Sequence, residues 1–221
     1  MGRLLLESRQ KTRTVASLAS LAVNASSGAI PKTLKGRQRR AELLECAARA
    51  FAVQGYRKVS LASVASQVGI TEQGAMHYFP TKEHLLVGVL DEYDLADEQG
   101  YREVTASAPT MVDALIASMR HRLTSQHQTA TLISVIMAES VDPEHAAHDW
   151  FIERNRRMRE SVAGILTVAQ DRGELRADLD IPTLAAQQVA MFDGLVVQWT
   201  LDPDAFDIID VFEHFYASLR A

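Results

Sequence analysis

Leu43, Ala47, Ala50 and Phe51 recur at the spacing that lines one face of a helix, and Gly55 closes that run. Two short amphipathic pieces follow at Ser60–Val68 and Thr71–Phe79. Pro80 then breaks the chain, and the pattern predicts a long helix from Thr81. The same period predicts helices over Pro109–Ser125, Thr129–Glu139, His145–Asp171 (stopped by Gly173), Pro182–Thr200 and Ala205–Arg220. No stretch alternates apolar and polar residues with β-branched enrichment, so the expected fold class is all-α, without a sheet. Upstream, residues 24–36 (NASSGAIPKTLKG) have the Gly, Ser, Pro and Asn content of a linker. They follow an extension, Leu4–Val23, that is compatible with a helix.

The segment LASVASQVGITEQGAMHYFP, from Leu61, meets a demanding steric pattern. Val64 and Val68 are apolar on the first short helix, and Ala65 is small where two helices approach closely. Gly69 sits where the turn calls for a left-handed backbone. Ile70, Ala75 and Tyr78 carry the apolar set onto the second helix. Two short helices joined at a steep angle read as a helix-turn-helix, whose second helix enters the major groove of DNA.

Charge first argues against that reading and then for it. The 221 residues are 47% hydrophobic and 23% charged with a net charge of -5, enough for a real core but the wrong overall sign for phosphate binding. Residues 1–40, however, hold nine basic groups against Glu7 alone, and the rest of the chain holds 14 basic and 27 acidic groups. A basic attachment end on an acidic body follows. Arg3, Arg9, Lys11 and Arg13 ahead of the apolar Val15–Val23 also look like an export signal, although a basic arm explains the same charges. The single cysteine, Cys46, lies among Leu43, Leu44, Ala47, Ala50 and Phe51 and reads as a small buried hydrophobe in a reducing, cytoplasmic setting. No apolar run is long enough for a membrane helix, so no membrane partner is expected.

GITEQGAMHYFPTKEHLL, with the preceding LLECAARAFAVQGYRKVSLASVA, resembles the DNA-binding part of the TetR (tetracycline-repressor) family over about residues 37–90. The resemblance implies a basic extension and linker over 1–36, a helix-turn-helix domain over 37–82 and a helical ligand-binding and dimerisation domain over 83–221. It implies a repressor of double-stranded operator DNA, released by a small-molecule inducer, with no enzymatic activity and no cofactor. The expected DNA-facing set is Arg37, Ser60, Thr71, Glu72, Gln73, Gly74, His77, Tyr78 and Lys82. Gln73 suits adenine and Glu72 suits cytosine. Met76 stands where the family commonly has a phosphate-binding Tyr. Lys82 opposes the dipole of the helix it opens, a cost that a phosphate would offset.

Beyond residue 90 the likeness lies in helix spacing and in DGLVVQWTLDPDAFD, which resembles half of a family dimer interface. Leu184, Val189, Phe192, Leu195, Val196 and Trp199, with Ile208, Ile209, Phe212, Phe215, Tyr216 and Leu219, make the last two helices apolar on more than one face, so a homodimer through them is expected. The ligand is expected among Met119, Met137, Trp150, Phe151, Gln188 and Phe192, with His121 or His127 as further polar anchors. Two other classes compete. Asp142, Glu144, His145, His148, Asp149 and Glu153 are metal-capable and would suit a metalloenzyme, although Asp and Glu also favour helix starts. Arg154, Arg156, Arg157 and Arg159 would suit a protein-interaction surface, but read more simply as a solvated face.

Overall fold

The computed structural model describes residues 31–105, 107–125 and 127–221. The extension Leu4–Val23, the basic groups Arg3 to Arg13 and most of the linker lie outside the described residues. Within them the chain forms nine α-helices and a single bridge between Leu175 and Arg220. These are α1 Leu34–Gln54, α2 Leu61–Gln67, α3 Glu72–Met76, α4 Lys82–Thr105, α5 Met111–Ser125, α6 His127–Glu139, α7 His148–Asp171, α8 Ile181–Leu201 and α9 Ile208–Ala217. The chain divides into two compact units, Met1–Glu92 and Tyr93–Ala221. The division falls inside α4.

In the first unit, the Thr33 hydroxyl accepts from Gly36 N at 3.1 Å and caps α1. The helix therefore starts at Leu34 and takes in the last three residues assigned to the linker, a correction to that boundary. Its inner face buries Leu43, Leu44, Cys46, Ala47, Ala50 and Phe51. Burial pushes the Cys46 thiol up, opposed weakly by Arg49, as suits an inert core residue.

In the second unit, Glu174 caps α5 from a distance. Its Oε2 accepts from Met111 N at 2.8 Å and from Val112 N at 3.2 Å. The apolar stripes of α8 and α9 mostly turn inward: Leu184, Val189, Val196, Ile208, Ile209, Phe212 and Tyr216 are all buried with Leu115, Leu166 and Leu175 in one core. What α8 leaves outside is a different face, formed by Ala186, Ala190, Gly194, Val197 and Leu201, with Leu201 81% exposed.

Candidate nucleic-acid interface and sensing core

Local devices fix the helix-turn-helix. Ser60 and Ser63 cap α2 reciprocally, each side chain meeting the other's backbone N–H, at 3.1 and 3.2 Å. At the other end Gly69 N bonds Ser66 O at 3.1 Å and Ile70 N bonds Ala65 O at 3.0 Å, with Gly69 at φ 74°. This is a Schellman ending, and it needs the left-handed residue glycine supplies most easily. Arg39 adds a donor to Val68 O at 2.9 Å. Thr71 then caps α3 by accepting from Gly74 N at 3.1 Å. Ala75 and Phe79, both fully buried, anchor the underside of α3.

The upper side of α3 is therefore fixed outward. Thr71, Glu72, Gln73, Met76 and His77 are exposed, Gly74 and Tyr78 half-buried. The helix ends at Met76, shorter than the Thr71–Phe79 span the pattern predicts, since Pro80 and the buried Phe79 pull the chain away. Ser60 and Arg37 are exposed too; Arg37 donates to Lys32 O at 3.1 Å. Lys82 is half-buried, its Nζ 4.1 Å from the centre of the Tyr56 ring and 3.3 Å from Arg57 O. Its charge is held beside the turn that precedes α2. The basic run is only partly available for DNA: Arg40 pairs with Glu92 at 3.3 Å and lies over Phe79, and Arg39 pairs with Glu42 at 2.8 Å.

The expected ligand residues divide into separate groups. Met119 and Gln188 are buried, and the Gln188 side chain is taken by the Tyr216 hydroxyl. Phe192 is half-buried beneath the Arg122 guanidinium, 5.5 Å from the ring centre. Trp150 and Phe151 are buried against each other, ring centres 4.9 Å apart. Met137 is half-buried, and the His127 side chain lies outside the described set. Two open surface cavities, of about 340 and 440 Å³, are lined by other residues, among them Asp113, Arg120 and Glu213, and Leu123, Trp199 and Phe206.

The Arg-rich stretch of α7 corrects the expectation of a solvated face. Arg156 and Arg159 are exposed, but Arg154 is only 5% exposed. Its Nε donates to Asp94 Oδ1 at 3.0 Å, while Arg157 takes Asp94 Oδ2 at 2.9 Å. Asp193 of α8 faces Arg154 and Arg122, and burial pushes its carboxyl up while those arginines pull it down. Arg154 occupies the register of Trp150, Met158 and Val162, the spacing of buried positions on α7. That register was the signal that could have found it. The metal-capable set is spent locally. His145 Nδ1 meets the Ser140 hydroxyl at 2.8 Å and His148 Nδ1 meets Ser140 O at 2.8 Å. Among the described residues no group of three His, Cys, Asp or Glu side chains is arranged to hold a metal.

Residues 43–89 match the model for bacterial regulatory proteins of the tetR family, and residues 109–220 match that of the C-terminal part of BetI-type transcriptional repressors. The chain belongs to the TetR family. It is a DNA-binding transcriptional regulator. Similar relatives include the transcriptional repressor KstR2 of Rhodococcus jostii, 29% identical over 65% of this chain and 71% of that protein. The regulator TtgR of Pseudomonas putida is 26% identical over 79% of this chain and 86% of its own. Among solved structures, a transcriptional regulator from Saccharomonospora viridis in complex with choline has a TM-score of 0.70 at 20% identity, covering 82% of this chain and 94% of that one. No helix among the described residues is long and apolar enough to cross a membrane.

Proposed function

We propose that the protein is a cytoplasmic homodimeric repressor that reads operator DNA with α3 and lets go when a small molecule enters the Tyr93–Ala221 unit. The observation that carries this reading is the display of Thr71, Glu72, Gln73 and His77 from a helix pinned underneath by Ala75 and Phe79. A fold relative holding choline supports the small-molecule arm. The outward face of α8, with Val197 43% and Leu201 81% exposed, supports pairing with a second copy. Two recognition helices must reach grooves about 34 Å apart, which one chain cannot do.

The test is selection of bound duplexes from random DNA, followed by titration of wild type and variants. Gln73→Ala is expected to relax discrimination at one base position, by about 1–3 kcal/mol, with melting unchanged. Lys82→Ala is expected to weaken all duplexes alike and lower the salt slope by about one. Deletion of residues 1–30, which spares the Thr33 cap, is expected to weaken binding and flatten its salt dependence if the basic arm meets phosphates. Variants of Gln73 and Lys82 that bind the selected duplex like wild type would refute the role given to α3.

A further inference from the structure

We propose that Met76 is the residue of α3 that selects thymine, its thioether side chain packing on the C5-methyl group in the major groove close to the pair met by Gln73. The inference rests on the reading of α3 given above and adds a specificity-determining residue and the base it selects.

Met76 is 48% exposed, while Ala75 beside it and Phe79 beyond it are fully buried. The inward sides of the two short helices carry Val64, Ala65, Ala75 and Phe79, each at 0% exposure. Met76 lies four residues after Glu72 and three after Gln73, both exposed, so the helical period puts all three on one outward side. An apolar side chain held there gains burial only when another molecule covers it. Gly74 gives a second sign. A Cβ at that position would meet the Thr71 hydroxyl at 3.4 Å and Ile70 at 3.7 Å, which are ordinary contacts, so packing leaves room for a side chain. Glycine in a helix costs stability relative to alanine, and what it allows is close approach of the α3 backbone to a partner.

The base edges in the major groove present hydrogen-bonding groups at every pair and one protruding apolar group, the C5-methyl of thymine. A thioether donates nothing and accepts weakly. Among the unmodified bases its favourable contact is therefore that methyl. An A·T pair offers both chemistries at once, since adenine suits Gln73 and thymine suits Met76. Three residues of helix advance about 4.5 Å and one base pair about 3.4 Å, so the two side chains reach the same pair or near neighbours. The unbranched side chain, with three rotatable bonds, can follow the methyl without moving α3.

The test uses the duplex that the full-length protein selects from random DNA, remade with each thymine in turn replaced by deoxyuridine. That change removes the methyl and leaves every hydrogen-bonding group in place. Wild type is expected to bind at least one such duplex about three- to fivefold more weakly, the loss of one methyl from an apolar contact. At that position Met76→Ala is expected to bind thymine and uracil duplexes alike, and Met76→Leu, apolar and of similar volume, to keep the preference. Both variants should melt like wild type, because the side chain is half exposed. No uracil position that weakens wild type, or a thymine preference that survives Met76→Ala at every responsive position, would overturn the proposal. Met76→Ala weakening thymine, uracil and unrelated duplexes by one common factor would place the side chain on the sugar-phosphate backbone and overturn it as well. In these cases a Gln73→Ala protein that still relaxes its own position leaves α3 standing as the reading helix. Failure to select any duplex, or selection indifferent to Gln73→Ala, would count against that broader reading.

Discussion

The helix-turn-helix and the α7–α8 interior use polar residues in opposite ways. On α3 the polar side chains fall on the exposed register, so Gln73 and His77 face outward with no call on the fold, and Ala75 and Phe79 do the packing. On α4, α7 and α8 the charged groups Asp94, Arg154 and Asp193 fall on the register of buried residues, and the fold must neutralise them. A reading surface built by display can change its side chains without changing its stability. An interior built on buried charge cannot, and its balance shifts with whatever neutralises it. The polar positions of one region are free to vary, and those of the other are tied to the fold.

The sharpest way to break this comparison is on α7 itself. Arg154→Ala removes one of the arginines bonded to Asp94 and the stronger of the arginine charges acting on Asp193, and is expected to cost about 3–5 kcal/mol, read as a large fall in Tm. Arg156→Ala, two residues along, removes exposed contacts to Glu153 and Glu160 and is expected to leave Tm unchanged. Equal effects of the two would mean that burial of Arg154 carries no energetic weight.

That pair also marks where sequence reading succeeds and where it stops. The helix-turn-helix is legible to within a residue at every boundary but the end of α3, because its determinants are local: Ser60, Gly69 and Thr71 act on backbone groups within five positions of themselves. The α3 end was misjudged because Phe79 looks helical by period and is pulled off by tertiary burial. The charge cluster is not legible because Asp94, Arg154 and Asp193 lie 39 to 99 positions apart, and an arginine beside exposed arginines looks solvated until its register is counted. The separate groups formed by Met119, Trp150 and Phe192 were hidden for the same reason. Periodicity tells which side chains turn inward but not which of them meet.

Smaller substitutions in the reading surface sharpen the contrast. Gly69→Ala meets nothing within 4 Å, so its whole cost is the left-handed backbone at φ 74°, about 1–2 kcal/mol. It should also weaken operator binding, because the turn aims α3. Thr71→Ala removes the cap on Gly74 N and is expected to cost about 1 kcal/mol. Chemical denaturation checks both, and operator affinity measured well below the unfolding midpoint separates aim from stability.

The smallest expected effect has the opposite sign. Asp193 is held above its ordinary range because burial disfavours its charge more than Arg154 and Arg122 favour it. Its folded pKa therefore exceeds its unfolded value, and ionising it costs stability at pH above both. As pH falls through the folded value the side chain takes up a proton, and that cost fades; below the unfolded value none remains. Asp193→Asn, neutral at every pH and nearly the same shape, is expected to raise Tm by about 2 °C under mildly alkaline conditions, the size that roughly 0.5–1 kcal/mol produces in a chain of this length. The two melting curves should converge as pH falls into the acid range. A variant destabilised at alkaline pH would instead show that Arg154 needs the Asp193 charge more than the interior resists it.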